Sequence, residues 1–248
     1  MSTVFNFTFV PWFRSVAPYI HMHRGKTFVV AVAGEAIAAG KLPSLAQDLA
    51  LIQSMGVKIV LVHGFRPQVN EQLKAKGHAP QYSHGIRITD SVALDCAQEA
   101  AGQLRYEIEA AFSQGLPNTP MAGATVRVIS GNFITAKPVG ILDGIDFQSS
   151  GLVRKVDVAG ITQTLAAGSM VLLSPFGFSP TGEAFNLTME EVATSVATAL
   201  QADKLIFVTE TPGLRVRPTE PEREDNPIDT ELPLAAAEKL LSTLPATT

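Results

Sequence analysis

The first part of the chain switches repeatedly between two hydrophobic periods. Short β-rich apolar runs occupy residues 28–34 and 57–64, and each is followed by apolar residues at helical spacing, in residues 42–55 and 68–76. A longer stretch, residues 90–114, repeats small or apolar residues about once a turn. Strands that are apolar throughout and are joined by helices predict a parallel sheet with crossover helices.

The second part of the chain changes character and then returns to the alternation. Residues 125–157 contain short alternating runs separated by Gly and Asp, which predict antiparallel ribbons laid onto the parallel sheet. The pattern after them predicts helices and strands in turn, with a charged, proline-rich loop before a last helix: helices 158–167, 189–202 and 232–244, strands 170–174 and 204–209, and loop 217–227. The prediction is an α/β protein with an open, mainly parallel sheet and helices on both faces.

A separate helical arm is predicted before the first strand. Residues 12–20 place Phe13, Val16 and Ile20 on one side of an amphipathic helix, and Pro18 predicts a kink or two short pieces. An apolar stripe of this kind packs either on its own subunit or on a neighbouring one, and the pattern leaves both open. We therefore divide the chain into an arm, residues 1–24, and a domain, residues 25–248.

Composition and charge exclude several classes of function. The chain has 248 residues, 46% of them hydrophobic, and its net charge of −4 with scattered basic residues predicts no nucleic-acid partner. We read no signal peptide and find no apolar run near the ~20 residues that span a bilayer, so we expect a cytoplasmic protein without a membrane partner. Cys96 is the single cysteine and lies on a core stripe, and the histidines lack metal-ligand spacing, so we expect neither a disulfide nor a metal.

Two candidate ligand positions follow the first two strands. In an open parallel sheet, ligands bind beyond the carboxyl ends of the strands. Gly34 follows the first strand, and Gly64 with Arg66 follows the second, immediately before a helix whose free N–H groups favour an anion. Arg66 could add a bidentate grip on a carboxylate. The same residues also suit an ordinary strand-to-helix turn, and the spacing does not decide between the two.

Two further candidates precede helices. Arg87 lies between apolar neighbours, so its charge needs an anionic partner, either a structural carboxylate or a ligand, and Thr89 or Asp90 is the predicted N-cap that follows it. Asn186 precedes a helix that opens with Glu190 and Glu191. One interpretation of this segment is helix capping by Thr188; the other makes Asn186 a hydrogen-bond donor to a ligand.

Together these segments resemble a known family. The order FVVAVAGE, VKIVLVHGFRP, HGIRITD, VISGNFITAKPVGILDGIDF and GEAFNLTMEEVATSVATALQADKLIFVT resembles the amino-acid kinase fold, as in acetylglutamate kinase. FRSVAPYIHMHRGKTFVV, SGNFITAKPVG and GLVRKVD are closer to the bacterial N-acetylglutamate synthases. The resemblance covers residues 13–213. It implies a three-layer fold that is incomplete at its C-terminal side, because the chain stops before the family's last strands and helices.

The departures from acetylglutamate kinase concern phosphoryl transfer. The kinase carries a lysine where Ala31 stands, three glycines where Gly64, Phe65 and Arg66 stand, and an aspartate where Glu190 stands. We expect the side chains of Phe65 and Arg66 to fill space that phosphates need. Since phosphoryl transfer depends on positioned positive charge, the resemblance implies that Gly34, Gly64, Arg66, Arg87 and Asn186 form a vestigial acetylglutamate or anion site with no kinase activity and no catalytic residue.

The likeness to the synthases implies a regulatory and assembly domain. In that family this fold binds L-arginine as a feedback inhibitor and forms a hexamer through its N-terminal helix. A separate acetyltransferase domain, absent from this chain, moves acetyl from acetyl-CoA to glutamate in the first step of arginine biosynthesis, so we expect no cofactor in the chain itself. By resemblance Tyr19 and Lys204 belong to the arginine pocket, although a lysine at a strand start also suits plain solvent exposure.

Two alternatives stay open beside this hypothesis. Gly64, Arg87 and Asn186 would also suit an active acetylglutamate kinase that uses MgATP. The arm would also suit a non-catalytic oligomerisation fragment. The resemblance leaves open whether the acetyltransferase partner acts in cis or in trans.

Overall fold

The computed structural model describes residues 9–114, 123, 125–211, 213 and 228–243. The helices in these residues are α1 Phe9–His23, α2 Gly34–Ala38, α3 Leu42–Ser54, α4 Arg66–Ala75, α5 Ser91–Ser113, α6 Val158–Ala166, α7 Met189–Leu200 and α8 Leu234–Thr243. The strands are β1 Thr27–Val32, β2 Lys58–His63, β3 Gln81–Ser83, β4 Ile86–Ile88, β5 Val128–Ser130, β6 Ile134–Pro138, β7 Ile141–Leu142, β8 Ile145–Asp146, β9 Gly151–Val156, β10 Met170–Leu173, β11 Phe176–Phe178, β12 Ala184–Asn186 and β13 Lys204–Val208.

A five-stranded sheet forms the centre of the molecule, in the order β13-β1-β2-β10-β5. Every neighbouring pair in it is parallel, as the apolar runs and crossover helices predict. One expectation is wrong: β5 lies in the segment predicted as antiparallel ribbon, yet it pairs in parallel with β10 at the edge of the sheet. Its residues are only half-buried there, which explains why the run looks like a ribbon strand rather than a buried one.

Helices cover both faces of this sheet and give a three-layer α/β fold. On one face, α3, α4 and α5 pack against alternate strand residues such as Val30, Ile59 and Leu172. On the other face, α6 and α7 pack against the intervening residues, among them Val29 and Val60. Cys96 is fully buried on α5, as its place in the apolar stripe predicts.

A second, four-stranded sheet, β12-β11-β6-β9, lies on the α7 side of the molecule. Its pair β6–β9 is antiparallel, which confirms a ribbon in this part of residues 125–157. The pair β11–β12, outside that segment, is antiparallel as well. The periodicity did not predict β11, β12 or α2. Strands of three residues and a helix of five are too short to show a hydrophobic period.

In the described part of the arm, Phe9–His23 forms one continuous helix, α1, through Pro18. None of its residues is buried, and Trp12 and Phe13 are 59% and 47% exposed. The apolar stripe is therefore not buried on the described part of its own chain, which argues against the same-subunit interpretation. Among the helices in the described ranges, none is long and apolar enough to cross a membrane. The loop predicted at residues 217–227 lies outside the described residues.

Candidate functional site

A cleft opens beyond the carboxyl ends of β1, β2 and β10, which we call the carboxyl edge. It holds about 620 Å³ of empty space, part of it open solvent at the mouth. Most of the predicted site residues line it: Gly34, Gly64, Arg66, Arg87, Asn186 and Glu190. The structure thus brings together residues from four separate segments of the sequence at the edge where an α/β sheet binds ligands.

Gly34 and Gly64 are required because two turns cross at the floor of this cleft. A Cβ on Gly64 would lie 2.8 Å from the backbone nitrogen of Gly34, and a Cβ on Gly34 would lie 2.8 Å from Pro67 Cδ. The Gly64 amide donates to Val32 O at 2.7 Å and holds the turns together. Neither position leaves room for a side chain, so the backbones themselves form the floor.

The N-terminus of α4 faces the cleft without a side-chain cap. Its N-cap residue, Phe65, makes no capping hydrogen bond. Phe65 lines the cleft, but the residue is 5% exposed and packs in the hydrophobic core, because an aromatic side chain gains by burial. The Arg66 side chain, in contrast, is exposed at the cleft.

Gln68, which sequence reasoning missed, joins the same crossing. Its Nε2 donates to Gly34 O at 3.1 Å, while its buried Oε1 has no hydrogen-bond partner. A polar residue one turn into a helix gave no signal of this role, because the contact depends on a turn 34 residues away.

Arg87 reaches the cleft from β4 with its guanidinium buried. Its Nη2 donates to Asn70 Oδ1 at 2.7 Å, and its Cζ lies 4.8 Å from the centre of the Tyr82 ring. Burial lowers the pKa of Arg87, and the nearby Arg66 charge adds to the effect. Nη1 is buried without a partner, and no carboxylate in the described ranges forms an ion pair with Arg87. The described residues therefore do not provide the structural carboxylate that was one of the two predicted partners of Arg87.

Asn186 is fixed by a buried network under the cleft. Its Nδ2 donates to Thr89 Oγ1 at 3.0 Å, and Ser150 Oγ lies 2.8 Å from the same Thr89 atom. Ser150 Oγ also donates to Arg87 O at 2.5 Å, so the network connects both ligand candidates. The buried atom left without a partner is Asn186 Oδ1, an acceptor. Sequence reasoning predicted Thr89 or Asp90 as a cap, and Asp90 is the cap, since its Oδ1 accepts from Ala93 N.

The N-terminus of α7 closes the cleft on another side. Thr188 caps the helix, because its Oγ1 accepts from Glu191 N at 3.3 Å, and this confirms the capping interpretation. Glu190 is exposed and lines the cleft. The Glu191 carboxylate is turned away and accepts from Val153 N at 2.6 Å, and burial raises its pKa.

His63 is a second residue that sequence reasoning missed. It ends β2 directly before Gly64 and is fully buried. Its Nε2 lies 2.7 Å from Ser174 Oγ, which joins the end of β2 to the end of β10. Burial lowers the pKa of the His63 imidazole to about 4, so the ring is neutral at neutral pH. The apolar run around it was read only as a strand.

The three remaining predicted residues lie elsewhere. Ala31 is fully buried in the sheet and does not line the cleft. Tyr19 and Lys204 lie toward the opposite edge, where strands begin, which we call the amino edge; both are exposed. There His23, at the end of α1, packs its ring 5.3 Å from Phe28, and Lys204 Nζ lies 5.9 Å from the same phenyl ring.

The charges around the cleft limit its chemistry. Of the residues described at its walls, the cationic ones are Arg66 and Arg87, and none is a lysine. Within the described ranges, no three His, Cys, Asp or Glu side chains come together as a metal site. The cleft therefore offers two guanidinium groups, an uncapped helix N-terminus and an amide oxygen to a ligand, and the carboxylates of Glu35 and Glu190 also line it.

Comparison with known proteins gives consistent relatives. The chain is 60% identical over 209 residues to an amino-acid acetyltransferase from Ralstonia nicotianae, which is 84% of this chain and 46% of that protein. It is 48% identical over 206 residues to one from Pseudomonas fluorescens, which covers 83% of this chain and 48% of that protein. The chain thus spans about half the length of the curated relatives it matches.

Comparison with solved structures finds relatives of the same kind. N-acetylglutamate synthase from Neisseria gonorrhoeae, complexed with coenzyme A and L-arginine, superposes with a TM-score of 0.83 at 37% identity, over 96% of this chain and 54% of that one. A carbamate kinase from Giardia shares the fold, with a TM-score of 0.52 at 17% identity over 78% of this chain and 75% of that one. Residues 26–238 match the amino acid kinase family. The chain belongs to the amino acid kinase family.

Proposed function

We propose that this chain is the regulatory and assembly domain of an N-acetylglutamate synthase and that it does not transfer phosphoryl groups. The observation that carries the proposal is the absence of a lysine among the described residues of the cleft, with Ala31 sealed in the sheet beside it. Phosphoryl transfer depends on cations placed against the transferring group. Arg66 on α4 and Arg87 on β4 do not replace an ammonium beside the first strand. The relatives named amino-acid acetyltransferases support the assignment.

Phosphoryl transfer can be tested directly. We expect no ADP release when the chain is incubated with MgATP and N-acetyl-L-glutamate. Turnover that Asn186→Ala abolishes and Asn132→Ala leaves intact would overturn the proposal and establish an acetylglutamate kinase. Asn132 is the matched control because it is exposed on a turn away from the cleft.

In this proposal, the cleft at the carboxyl edge still binds a ligand that carries a carboxylate. The buried Arg87 guanidinium, the free N-terminus of α4 next to Arg66, and Asn186 Oδ1 converge on one space whose floor is the Gly34–Gly64 crossing. Positive charge and helix N–H groups favour an anion. Isothermal titration with N-acetyl-L-glutamate is the test, and loss of binding in Arg87→Met is the expected result. Undiminished binding in that variant would remove Arg87 from the site.

Arginine sensing is assigned to the amino edge. The N-acetylglutamate synthase from Neisseria gonorrhoeae was solved with L-arginine, and Tyr19 and Lys204 supply an aromatic ring and an exposed cation at this edge. We expect calorimetry to detect L-arginine binding that Lys204→Met weakens and Lys41→Met, another exposed lysine, does not. If L-arginine gives no heat of binding with this chain or with a full-length synthase that contains it, the sensing role is contradicted.

Assembly is assigned to α1. Its exposed aromatic residues, Phe9, Trp12 and Phe13, form one cluster, with ring centroids 6.1 Å and 5.8 Å from that of Phe9. Exposed apolar clusters of this kind mark protein interfaces. In the proposal α1 joins copies of the chain into a homo-oligomer, a hexamer by analogy with the synthases. Sedimentation with and without residues 1–24 tests it: we expect smaller assemblies after deletion, and an unchanged assembly would refute the role of α1.

The acetyl transfer itself belongs to a different domain in this proposal. An acetyltransferase domain, in cis or in trans, would bind acetyl-CoA and acetylate glutamate in the first step of arginine biosynthesis, and this chain would hold no cofactor. The coenzyme A complex of the Neisseria gonorrhoeae synthase supports that division, because this chain matches only 54% of that protein. Acetylation of glutamate by the isolated 248-residue chain would contradict it.

A further inference from the structure

Among the described residues, the groups that hold the Arg87 guanidinium in the cleft wall are neutral. The residue is 7% exposed, and a buried charge without a counter-charge is costly. In the described ranges its side-chain contacts are the Asn70 amide and the Tyr82 ring, and the Arg66 charge that acts on it has the same sign. The positive charge of Arg87 therefore stays available to a ligand.

Asn70 is the centre of this arrangement. Its Oδ1 accepts from Arg87 Nη2 at 2.7 Å and from the Tyr82 hydroxyl at 3.1 Å. Tyr82 thus meets Arg87 twice, through the shared amide oxygen and through its ring face. A guanidinium that is stacked on one side and hydrogen-bonded at one nitrogen has a fixed plane. The remaining nitrogen, Nη1, is buried without a partner.

We propose that Asn70 and Tyr82 are positioning residues that aim Arg87 Nη1 at the carboxylate of a ligand in the cleft. This inference rests on the proposed retention of a carboxylate ligand there. The amide of Asn70 is essential to it, because an amide oxygen orients the guanidinium without cancelling its charge. An aspartate at the same position would accept the same two hydrogen bonds, yet it would neutralise Arg87 and repel the ligand.

The decisive variant is therefore Asn70→Asp. It keeps an acceptor for Arg87 and Tyr82 and supplies the missing counter-charge, so we expect thermal stability equal to or above that of the unchanged chain. Binding of N-acetyl-L-glutamate, measured by isothermal titration at pH 7, is expected to weaken at least about tenfold. A purely structural Asn70 would not show this split, because a variant that folds as stably would also bind as tightly.

Two further variants separate orientation from charge. Tyr82→Phe keeps the ring under Arg87 but removes the hydroxyl that shares Asn70 Oδ1, and we expect a loss of about threefold in affinity. Asn132→Asp adds the same single negative charge at an exposed position remote from the cleft, and it should bind like the unchanged chain.

The outcomes distinguish this inference from the proposed ligand site. If the unchanged chain binds N-acetyl-L-glutamate and Asn70→Asp binds equally well, the positioning role is refuted while the ligand site stands. If the unchanged chain binds neither N-acetyl-L-glutamate, L-glutamate nor acetate, both are refuted. If Asn70→Asp loses both affinity and stability, the Tyr82→Phe variant decides the question. A stable Tyr82→Phe variant with full affinity would refute the positioning role, and one with reduced affinity would support it.

Discussion

The two edges of the central sheet are built in different ways. At the carboxyl edge, backbones cross at contact distance, and buried polar groups of Arg87, Thr89 and Asn186 are hydrogen-bonded into one network. At the amino edge, the marked residues are exposed: Tyr19 is 63% exposed, and Lys204 lies on the surface beside Phe28. The carboxyl edge holds buried polar groups around a cleft, whereas the marked residues of the amino edge are exposed to solvent.

This difference separates two kinds of recognition. Buried donors and acceptors without partners, such as Arg87 Nη1 and Asn186 Oδ1, suit a small molecule that supplies the missing hydrogen bonds. An exposed helix such as α1, with none of its residues buried, suits a large surface that covers it. Mutations should therefore affect folding and ligand binding at the carboxyl edge, and association at the amino edge.

The largest effect is expected from Gly64→Ala. The new Cβ would lie 2.8 Å from the backbone nitrogen of Gly34, so one of the two turns must move. We expect the free energy of unfolding to fall by about 3 kcal/mol, measured by denaturant titration. Gly102→Ala is the control: no atom lies within 4 Å of its new Cβ in α5, and stability should be unchanged or rise slightly. Equal results for the two variants would show that the crossing is loose.

The next largest effect is a loss of stability in acid through His63. Its folded-state pKa of about 4 lies below the unfolded value of 6.5, so the unfolded chain takes up the proton first as the pH falls. Stability from this group is complete above about pH 6.5 and declines down to about pH 4. Between pH 7 and pH 5 we expect it to contribute a loss of about 2 kcal/mol.

The measurement is the difference between variants across that pH range. Denaturant titrations at pH 7 and pH 5 should show a pH-dependent loss that is smaller by this amount in His63→Gln than in the unchanged chain. His21→Gln, which removes an exposed histidine of α1, should follow the unchanged chain. A His63→Gln variant with the same pH dependence as the unchanged chain would mean that His63 is already protonated or solvated.

The sequence predicted the layers better than the site. Apolar runs and helical spacing predicted four of the five strands of the parallel sheet and both helix layers, because burial on both faces leaves a strong periodic signal. Gly34 and Gly64 were found as turn residues by the same logic. Gln68, Asn70, Tyr82, Ser150 and His63 were missed as site residues. Their roles depend on contacts between residues far apart in the chain, such as Ser150 and Thr89, whose positions differ by 61, and no local pattern records such contacts.

At β5, the sequence pattern indicated a strand but not its pairing partner. A half-buried edge strand of a parallel sheet has the same alternation as a ribbon strand, so the pattern alone could not assign its partner. The pairing of β5 with β10 depends on tertiary contacts that the local sequence pattern does not record.

A moderate effect is expected from Thr89→Val, an isosteric change under the cleft. It removes the oxygen that accepts from Asn186 Nδ2 and lies 2.8 Å from Ser150 Oγ. We expect a loss of about 1 to 2 kcal/mol, because a buried amide is left without its partner. The measurement is denaturant titration, together with N-acetyl-L-glutamate affinity. Thr194→Val, exposed on α7, should leave both values unchanged, and a neutral Thr89→Val would show that the network does not fix Asn186.

The smallest effect is expected at the amino edge, from Asp203→Asn. The Asp203 carboxylate accepts from Thr27 N at 2.9 Å and pairs with Lys26 Nζ at 3.0 Å, and the first of these contacts chiefly lowers its pKa. Because the folded state favours the ionised carboxylate, Asp203 stabilises the fold at pH values above the ordinary pKa of an aspartate. This contribution is lost as the pH falls through the lowered pKa of the folded state. Asparagine keeps an acceptor for Thr27 but loses the ion pair, which is exposed and screened by salt. Thermal melts should therefore show a slight decrease in Tm at low salt that vanishes at high salt. A decrease larger than that of Thr89→Val would mean that the amino edge is as tightly built as the carboxyl edge, and the contrast between them would fail.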